Sequence, residues 1–291
     1  MAVTGSGTTS KAIDDHVPEG AEFYHEFWKE YSGSLTRRAM VTAEHQERVF
    51  AEFHSDMLAD EFRTAPGRLV ANFGCGKGTH SIPLERRGFR VVNADFSPEA
   101  LALTRAYYER QGIKPLLVRC DLLNLPFKAE SFDVITNFGV MEHFRDVAVP
   151  YAEMTRTLKR GGVFHSEILT KRFSLLSIEI SLTALLYTAY NLVRLRWSKI
   201  RGMTRTAHMG EAFYENSFPL EHYTAAIAGC GIRDIRTYGV RPFIFMQMPR
   251  PLDALYARAL KAFAPRLRAI TLSGSAVTKW ICPVWLVYGR K

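Results

Sequence analysis

Cysteine is scarce in this chain. Four residues in 291, at positions 75, 120, 230 and 282, are too few and too scattered for a disulfide framework. No C-x-x-C or Cys/His cluster has metal-ligand spacing, so no metal is expected. The charged-then-apolar pattern of a secretory leader is missing, and the cytoplasm is the expected compartment. Uninterrupted apolar runs are also lacking. The longest apolar stretch, Phe173 to Val193, carries Glu179 together with Ser, Thr, Tyr and Asn. Acids are outnumbered by bases, 29 to 38, for a net charge of +9. A basic balance suits nucleic acid or an anionic membrane surface. Aromatic–basic interleaving of the kind that stacks bases is absent, so no nucleic-acid partner is expected.

What is present is a core and a pattern. Hydrophobic residues make up 47% of the chain, ample for one substantial core with insertions. Apolar runs at 69–73, 90–94, 115–118, 132–137 and 163–169 alternate with helical stretches at about 79–87, 98–111 and 147–158. Such alternation predicts a parallel sheet whose ligands sit at the strand C-termini. At that edge stands Asn72-Phe73-Gly74-Cys75-Gly76-Lys77-Gly78. Glycines there let the backbone turn tightly and lie against a ligand. A dinucleotide fingerprint would need its third glycine at Thr79, so a dinucleotide is excluded.

The Gly74-x-Gly76-x-Gly78 turn resembles the first motif of the S-adenosylmethionine-dependent methyltransferases with a Rossmann-like fold. Further motifs follow in order over roughly Arg68 to Ile168. Asp95-Phe96-Ser97-Pro98 resembles the ribose-binding acid and its turn. Cys120-Asp121-Leu122 resembles the adenine-binding segment. Phe132 to Asn137 is similar to the fourth strand, followed by Met141-Glu142-His143-Phe144. Leu158 to Phe164 is similar to the turn into the fifth strand. The resemblance implies an α/β fold: a seven-stranded, mostly parallel sheet with helices on both faces, an N-terminal helical cap and an inserted lid. It implies S-adenosyl-L-methionine as cofactor, held by Asn72, Gly74, Cys75, Gly76, Gly78, Asp95, Phe96, Asp121, Leu122 and Asn137. One residue departs from the family pattern. An acid usually precedes the first glycine by two places, and here Asn72 can accept a hydrogen bond but brings no charge.

The expected organisation is a polar tail at 1–20, a helical cap at 21–64 with aromatics at 23, 24, 27, 28 and 31, a cofactor-binding core at 65–170, an insertion at 171–210 and the end of the core at 211–291. Between Lys171 and Gly210 seven bases face one acid, Glu179. A helix over 173–193 would be about 30 Å long. It reads as a buried helix or a lid over the substrate entrance, as a peripheral membrane contact through 171–205, or as a membrane span. The amphipathic stretch 251–270 could extend that surface, form a second lid helix or make a dimer contact.

His143 and Glu142, after the fourth strand, are the expected catalytic candidates, His143 as general base for a hydroxyl acceptor. His165 reads as structural, while His208, Tyr214 and His222 follow the insertion. No N-P-P-Y motif for planar amines occurs at Asn137-Phe138-Gly139-Val140. A small molecule is the expected acceptor, and the apolar insertion tilts it toward an apolar molecule of secondary metabolism, methylated on oxygen or nitrogen. The alternatives are a non-catalytic scaffold or sensor of the same fold, supported by Asn72, and a lipid C-methyl or cyclopropane-type transferase. The latter usually carries Gly-Trp-Gly where this chain has Gly76-Lys77-Gly78.

Overall fold

The computed structural model describes residues 41–42, 44–169, 172–193, 216, 218–246 and 248–291. The expected tail, the early aromatics of the cap, the basic residues from Arg194 to Arg205, His208 and Tyr214 lie outside them.

The apolar runs form strands as the pattern requires. They are β2 (Leu69–Phe73), β3 (Arg90–Asp95), β4 (Leu116–Arg119), β5 (Phe132–Phe138) and β6 (Leu158–Leu169), closed by β7 (Arg233–Val240) and β9 (Val284–Arg290). Their order is β4-β3-β2-β5-β6-β9-β7, with only β9 antiparallel to its neighbours. A two-residue pair, β1 (Val41–Thr42) with β8 (Met248–Pro249), stands apart.

Helices cover both faces. One face carries α1 (Glu44–Phe62), α2 (Ser81–Glu85) and α7 (Arg250–Leu272). Phe53, Leu58, Phe62 and Leu84 pack there on Val70, Val91, Val134 and Val163. The opposite face buries Tyr151 and Met154 of α4 (Ala148–Thr157) and Tyr223 and Ile227 of α6 (Leu220–Gly229) on Phe73, Ile135 and Phe164. Helix α3 (Pro98–Glu109) begins at Ser97, whose side chain accepts from Ala100 N–H. A short α8 (Ala276–Ile281) precedes β9.

Several boundaries differ from the sequence reading. Strand β6 starts at Leu158, five residues early, because its first residues already pair beside Phe132 across a register shift. Strand β7, expected from Ile232 to Met248, stops at Val240, where Arg241 takes φ +67° and Pro242 follows. A positive φ and a missing amide both end a ladder. Helix α7 splits its apolar residues between two sides. Asp253, Ala257 and Leu260 are buried, whereas Leu252, Leu255 and Phe263 are exposed.

Asp253 explains how α7 holds α1. Its carboxylate accepts from the backbone N–H of His45 at 3.0 Å and from Gln46 Nε2 at 2.8 Å. The first turn of α1 thus finds its cap on another helix. Helix α5 (Leu175–Val193) spans the expected apolar stretch. Its one acid is an anchor: Glu179 sits 3.1 Å from the buried Arg241 guanidinium and accepts from Phe245 N–H at 3.0 Å. Ile178, Ile180 and Leu185 of the same helix are exposed. Among the described residues no helix is long and apolar enough to cross a membrane.

Candidate functional site

Parallel register brings Asp95, Gly74, Phe138 and Glu167 to the C-terminal edge of four adjacent strands. The glycine turn leaves β2 there with φ of +66°, +53° and +70° at Gly74, Gly76 and Gly78. A Cβ on Gly74 would stand 2.5 Å from Val140, and one on Gly78 would stand 2.8 Å from Thr104. Both conformation and space therefore demand glycine.

Asp95 is buried at the end of β3. One carboxylate oxygen accepts from Gly76 N–H at 2.8 Å, the other from Ser97 N–H at 2.9 Å. The acid is thereby locked to the turn, where it can accept hydroxyls of a sugar. Phe96 lies beside it under the Arg119 guanidinium, 5.7 Å from ring centroid to Cζ. Asp121 caps its own turn by accepting from Leu123 N–H at 2.9 Å, and Leu122 is buried next to it. Cys75 is buried, and burial with the nearby Asp95 charge pushes its thiol well up. Cys120 is pushed up to about 12 for the same reasons. Neither is a nucleophile at neutral pH.

Asn72 belongs to a buried chain of amides and hydroxyls. Its Nδ2 donates to Ser81 Oγ at 2.9 Å, Ser81 donates to Asn93 at 2.5 Å, and Asn93 Nδ2 donates to Tyr108 Oη at 2.9 Å. Asn72 Oδ1, also buried, has no partner. Asn137 is placed differently from the expectation. Its side chain turns into the sheet, accepting from Ser166 Oγ at 3.0 Å, because the register sets it on the α4 face. Only its backbone stands at the edge.

Glu142 and His143 form a 3₁₀ turn after β5. Glu142 is buried, and its carbonyl accepts from Asn216 N–H at 2.6 Å. Asn216 Nδ2 ties the same turn by donating to the carbonyls of Met141 and Phe144, both at 2.9 Å. His143 is half-buried. His222 is exposed, its ring against Phe218.

A second cluster was not singled out in the sequence. On the α1 face, His54 Nε2 lies 3.1 Å from Glu167 Oε2. His80, just after the glycine turn, stacks flat on Phe138 at 4.1 Å and meets the His54 ring edge-on at 5.2 Å. His165 sits one row deeper, its Nδ1 2.6 Å from Thr136 Oγ1. Burial drives His80 down to about 4 and His165 down to about 3. Burial pushes the Glu167 carboxyl up, but the imidazoles around it outweigh that and hold it below the usual range.

A fit to S-adenosylmethionine can be judged from these residues. The glycine cradle, the locked Asp95 and the unpartnered Asn72 Oδ1 are compatible with the ribose and amino-acid ends of that molecule. Among the described residues no group of His, Cys, Asp and Glu is arranged to hold a metal ion.

Comparison with known proteins agrees with this geometry. The methyltransferase-domain family matches residues 71–166. A ubiquinone biosynthesis O-methyltransferase from Cereibacter sphaeroides is 32% identical over 117 residues, 40% of this chain and 47% of that protein. A probable S-adenosylmethionine-dependent methyltransferase from Mycolicibacterium smegmatis is 37% identical over 34% of this chain and 37% of its own length. A demethylmenaquinone methyltransferase from Thermus thermophilus is 34% identical over 34% of this chain and 45% of its own. The matches span less than half the length of these relatives. Among solved structures, a SAM-dependent methyltransferase from Thermotoga maritima superposes with a TM-score of 0.53 at 15% identity, covering 93% of this chain and 99% of that one. The geranyl diphosphate C-methyltransferase from Streptomyces coelicolor gives 0.50 at 16%, covering 81% and 77%. These two likenesses bear on the fold alone. Motif order, strand order and the family match agree that residues 71–166 form a methyltransferase domain.

Proposed function

We propose that the protein transfers a methyl group from S-adenosylmethionine to a hydroxyl of a small, apolar acceptor. The observation that carries this reading is Asp95 fixed by the glycine turn, beside a cradle in which side chains other than hydrogen would clash. When bound, the sulfonium supplies an electrophilic methyl group and leaves as a neutral thioether. The protein then has to align the reactants and exclude water. Asp95 would hold the ribose, with Phe96, Asp121 and Leu122 around the base. Two of the relatives are named for ubiquinone and menaquinone chemistry, which favours an apolar acceptor here.

The exposed side chains of α5 and α7 support a further part of the reading, contact with an anionic membrane surface. Helix α7 shows Leu252, Leu255 and Phe263 to solvent. It carries Arg250, Arg258, Lys261, Arg266 and Arg268; Lys261 and Arg268 pair with Glu52 and Asp60 of α1, and the helix's own acid, Asp253, is buried. An apolar stripe with a basic rim suits an interfacial helix, each cation adding roughly 1 kcal/mol near anionic lipid.

Titration calorimetry with S-adenosylmethionine tests the first claim. Saturable binding that Gly76→Val abolishes is the expected result. Binding by the wild type with no turnover on any hydroxylated apolar acceptor would favour a non-catalytic scaffold. No binding at all would remove the assignment. Co-sedimentation with anionic vesicles tests the second. Binding should weaken as salt rises, because surface attraction is screened over about 10 Å at 0.1 M.

A further inference from the structure

We propose that His80 is the proton acceptor for the acceptor hydroxyl, that Glu167 is the group that favours its protonated form, and that His54 is the positioning residue that holds Glu167 in place. This rests on the reading of the site as a methyltransferase centre. It replaces His143 and Glu142 in the role expected of them.

Place is the first argument. His80 lies two residues beyond Gly78, at the edge where the cofactor cradle opens, and is half-buried. Its Nδ1 is buried without a partner, which leaves Nε2 as the nitrogen we assign to the acceptor. Phe138 fixes the ring plane by flat stacking. A general base needs reach and a fixed orientation before it needs a particular pKa.

Charge is the second argument. Behind His80 the structure buries one carboxylate, Glu167, against the fully buried His54. A buried anion is costly unless it is paired. Here its partner is an imidazole on α1, brought to it only by the docking of that helix. Phe50 stacks on the His54 ring at 5.4 Å, and Phe243 and Phe245 meet Phe50 edge-on, so the pair sits behind an aromatic wall. The fixed carboxylate favours a nearby imidazolium, partly offsetting the burial and the His54 charge that hold His80 low. The charged and titratable groups facing His80 are His54 from α1, Glu167 and His165 from β6, and Lys77 from the glycine turn. Arg241 reaches Glu167 from the loop after β7 and is itself paired with Glu179 of α5.

The proton balance is simple. As the acceptor oxygen takes the methyl group, its O–H bond breaks and the proton passes to His80 Nε2. His80 becomes an imidazolium, its charge met by Glu167. It returns the proton to water when product leaves. No oxidant or reductant is involved. His80 is neutral at pH 7, as an acceptor of protons must be.

The test separates this role from cofactor binding. His80→Gln should bind S-adenosylmethionine within about threefold of wild type by calorimetry, while turnover on a hydroxylated acceptor falls by roughly 10²–10⁴, the usual worth of a general base. Loss of cofactor binding in His80→Gln would make His80 a cofactor ligand and overturn the proposal. Undiminished turnover would overturn it as well. If wild type itself fails to bind the cofactor, the methyltransferase reading fails instead. The pair behind His80 has a readout that needs no activity. Histidine ring NMR signals followed against pH should show the His80 titration moving to lower pH in Glu167→Gln. An unmoved His80 titration in a folded Glu167→Gln would show that the pair does not act on it. His54→Gln should lower kcat with little change in KM, and Glu167→Asp should recover part of what Glu167→Gln loses.

Discussion

Asp95 concentrates the cofactor argument in one side chain. Both of its oxygens are tied to the turn they help shape, so on the proposed reading its truncation would remove ribose contacts and a brace for Gly76 together. Asp95→Ala should weaken S-adenosylmethionine binding by about 1.5–3 kcal/mol, the range for hydrogen bonds to a charged group. Calorimetry reads this directly, and wild-type affinity in the variant would remove Asp95 from the site. Asn72 poses a subtler case. Its amide donates into Ser81, so an acid there looks incompatible at first. The chain of groups is reversible, however. In Asn72→Asp, Ser81 can donate to the new carboxylate, Asn93 can turn its amide to donate to Ser81, and Tyr108 can donate to Asn93. Asn72→Asp should therefore keep or raise cofactor affinity, with some loss of melting temperature from the buried charge. Asn72→Leu cannot complete the chain and should cost about 1–3 kcal/mol in stability. Equal urea midpoints for Asn72→Leu and wild type would contradict this account.

At the scale of elements, the important joints are single acids that clamp one helix to another segment. Glu179 fixes α5 to the loop after β7 through Arg241, and both side chains are mostly buried. Removing one member of such a pair leaves the other charged and unpaired in a poor dielectric. Glu179→Leu should destabilise the protein by about 3 kcal/mol and loosen α5. Limited proteolysis should then cut within α5 sooner, and an unchanged cleavage pattern would count against the clamp. The core strands were legible because each is a short apolar run set between helical stretches or turns. Helix α5 was legible by length and hydropathy, but the job of Glu179 was not, since its partner lies far along the chain in a loop. The sidedness of α7 was legible only in part, for a related reason. Leu252, Leu255 and Phe263 stand out as an amphipathic stripe, but nothing in the sequence shows that the inner face is set by Asp253 capping α1. His54, His80 and Glu167 were invisible as a group because only helix docking and sheet register bring them together.

For the molecule as a whole, that buried layer of imidazoles sets a pH limit on the fold. His80 and His165 titrate at about 4 and about 3 in the folded state, because burial disfavours their charged forms. In the unfolded chain both return to about 6.5. Between those values the unfolded state binds protons that the folded state refuses, so stability rises with pH across the window. It is complete above about 6.5 and is lost as pH falls toward 4 and then 3. Glu167 acts in the same direction but lower, its contribution fading only as pH drops below the ordinary carboxylate range. Each histidine is worth roughly 1.4 kcal/mol per pH unit inside its window. At pH 5 the two together should cost about 4 kcal/mol, a large share of the roughly 5–15 kcal/mol typical of a folded domain. Urea unfolding at pH 7.5, 6 and 5 should show midpoints falling steeply below about pH 6.5. His165→Gln removes one of the two titrations while leaving a side chain able to bond Thr136 Oγ1. In that variant the slope of stability against pH should fall by about half. A slope equal to wild type would mean that His165 is not the buried neutral imidazole described, and a wild-type midpoint that stays flat from pH 7.5 to 5 would dismiss the whole layer as an acid-sensitive element.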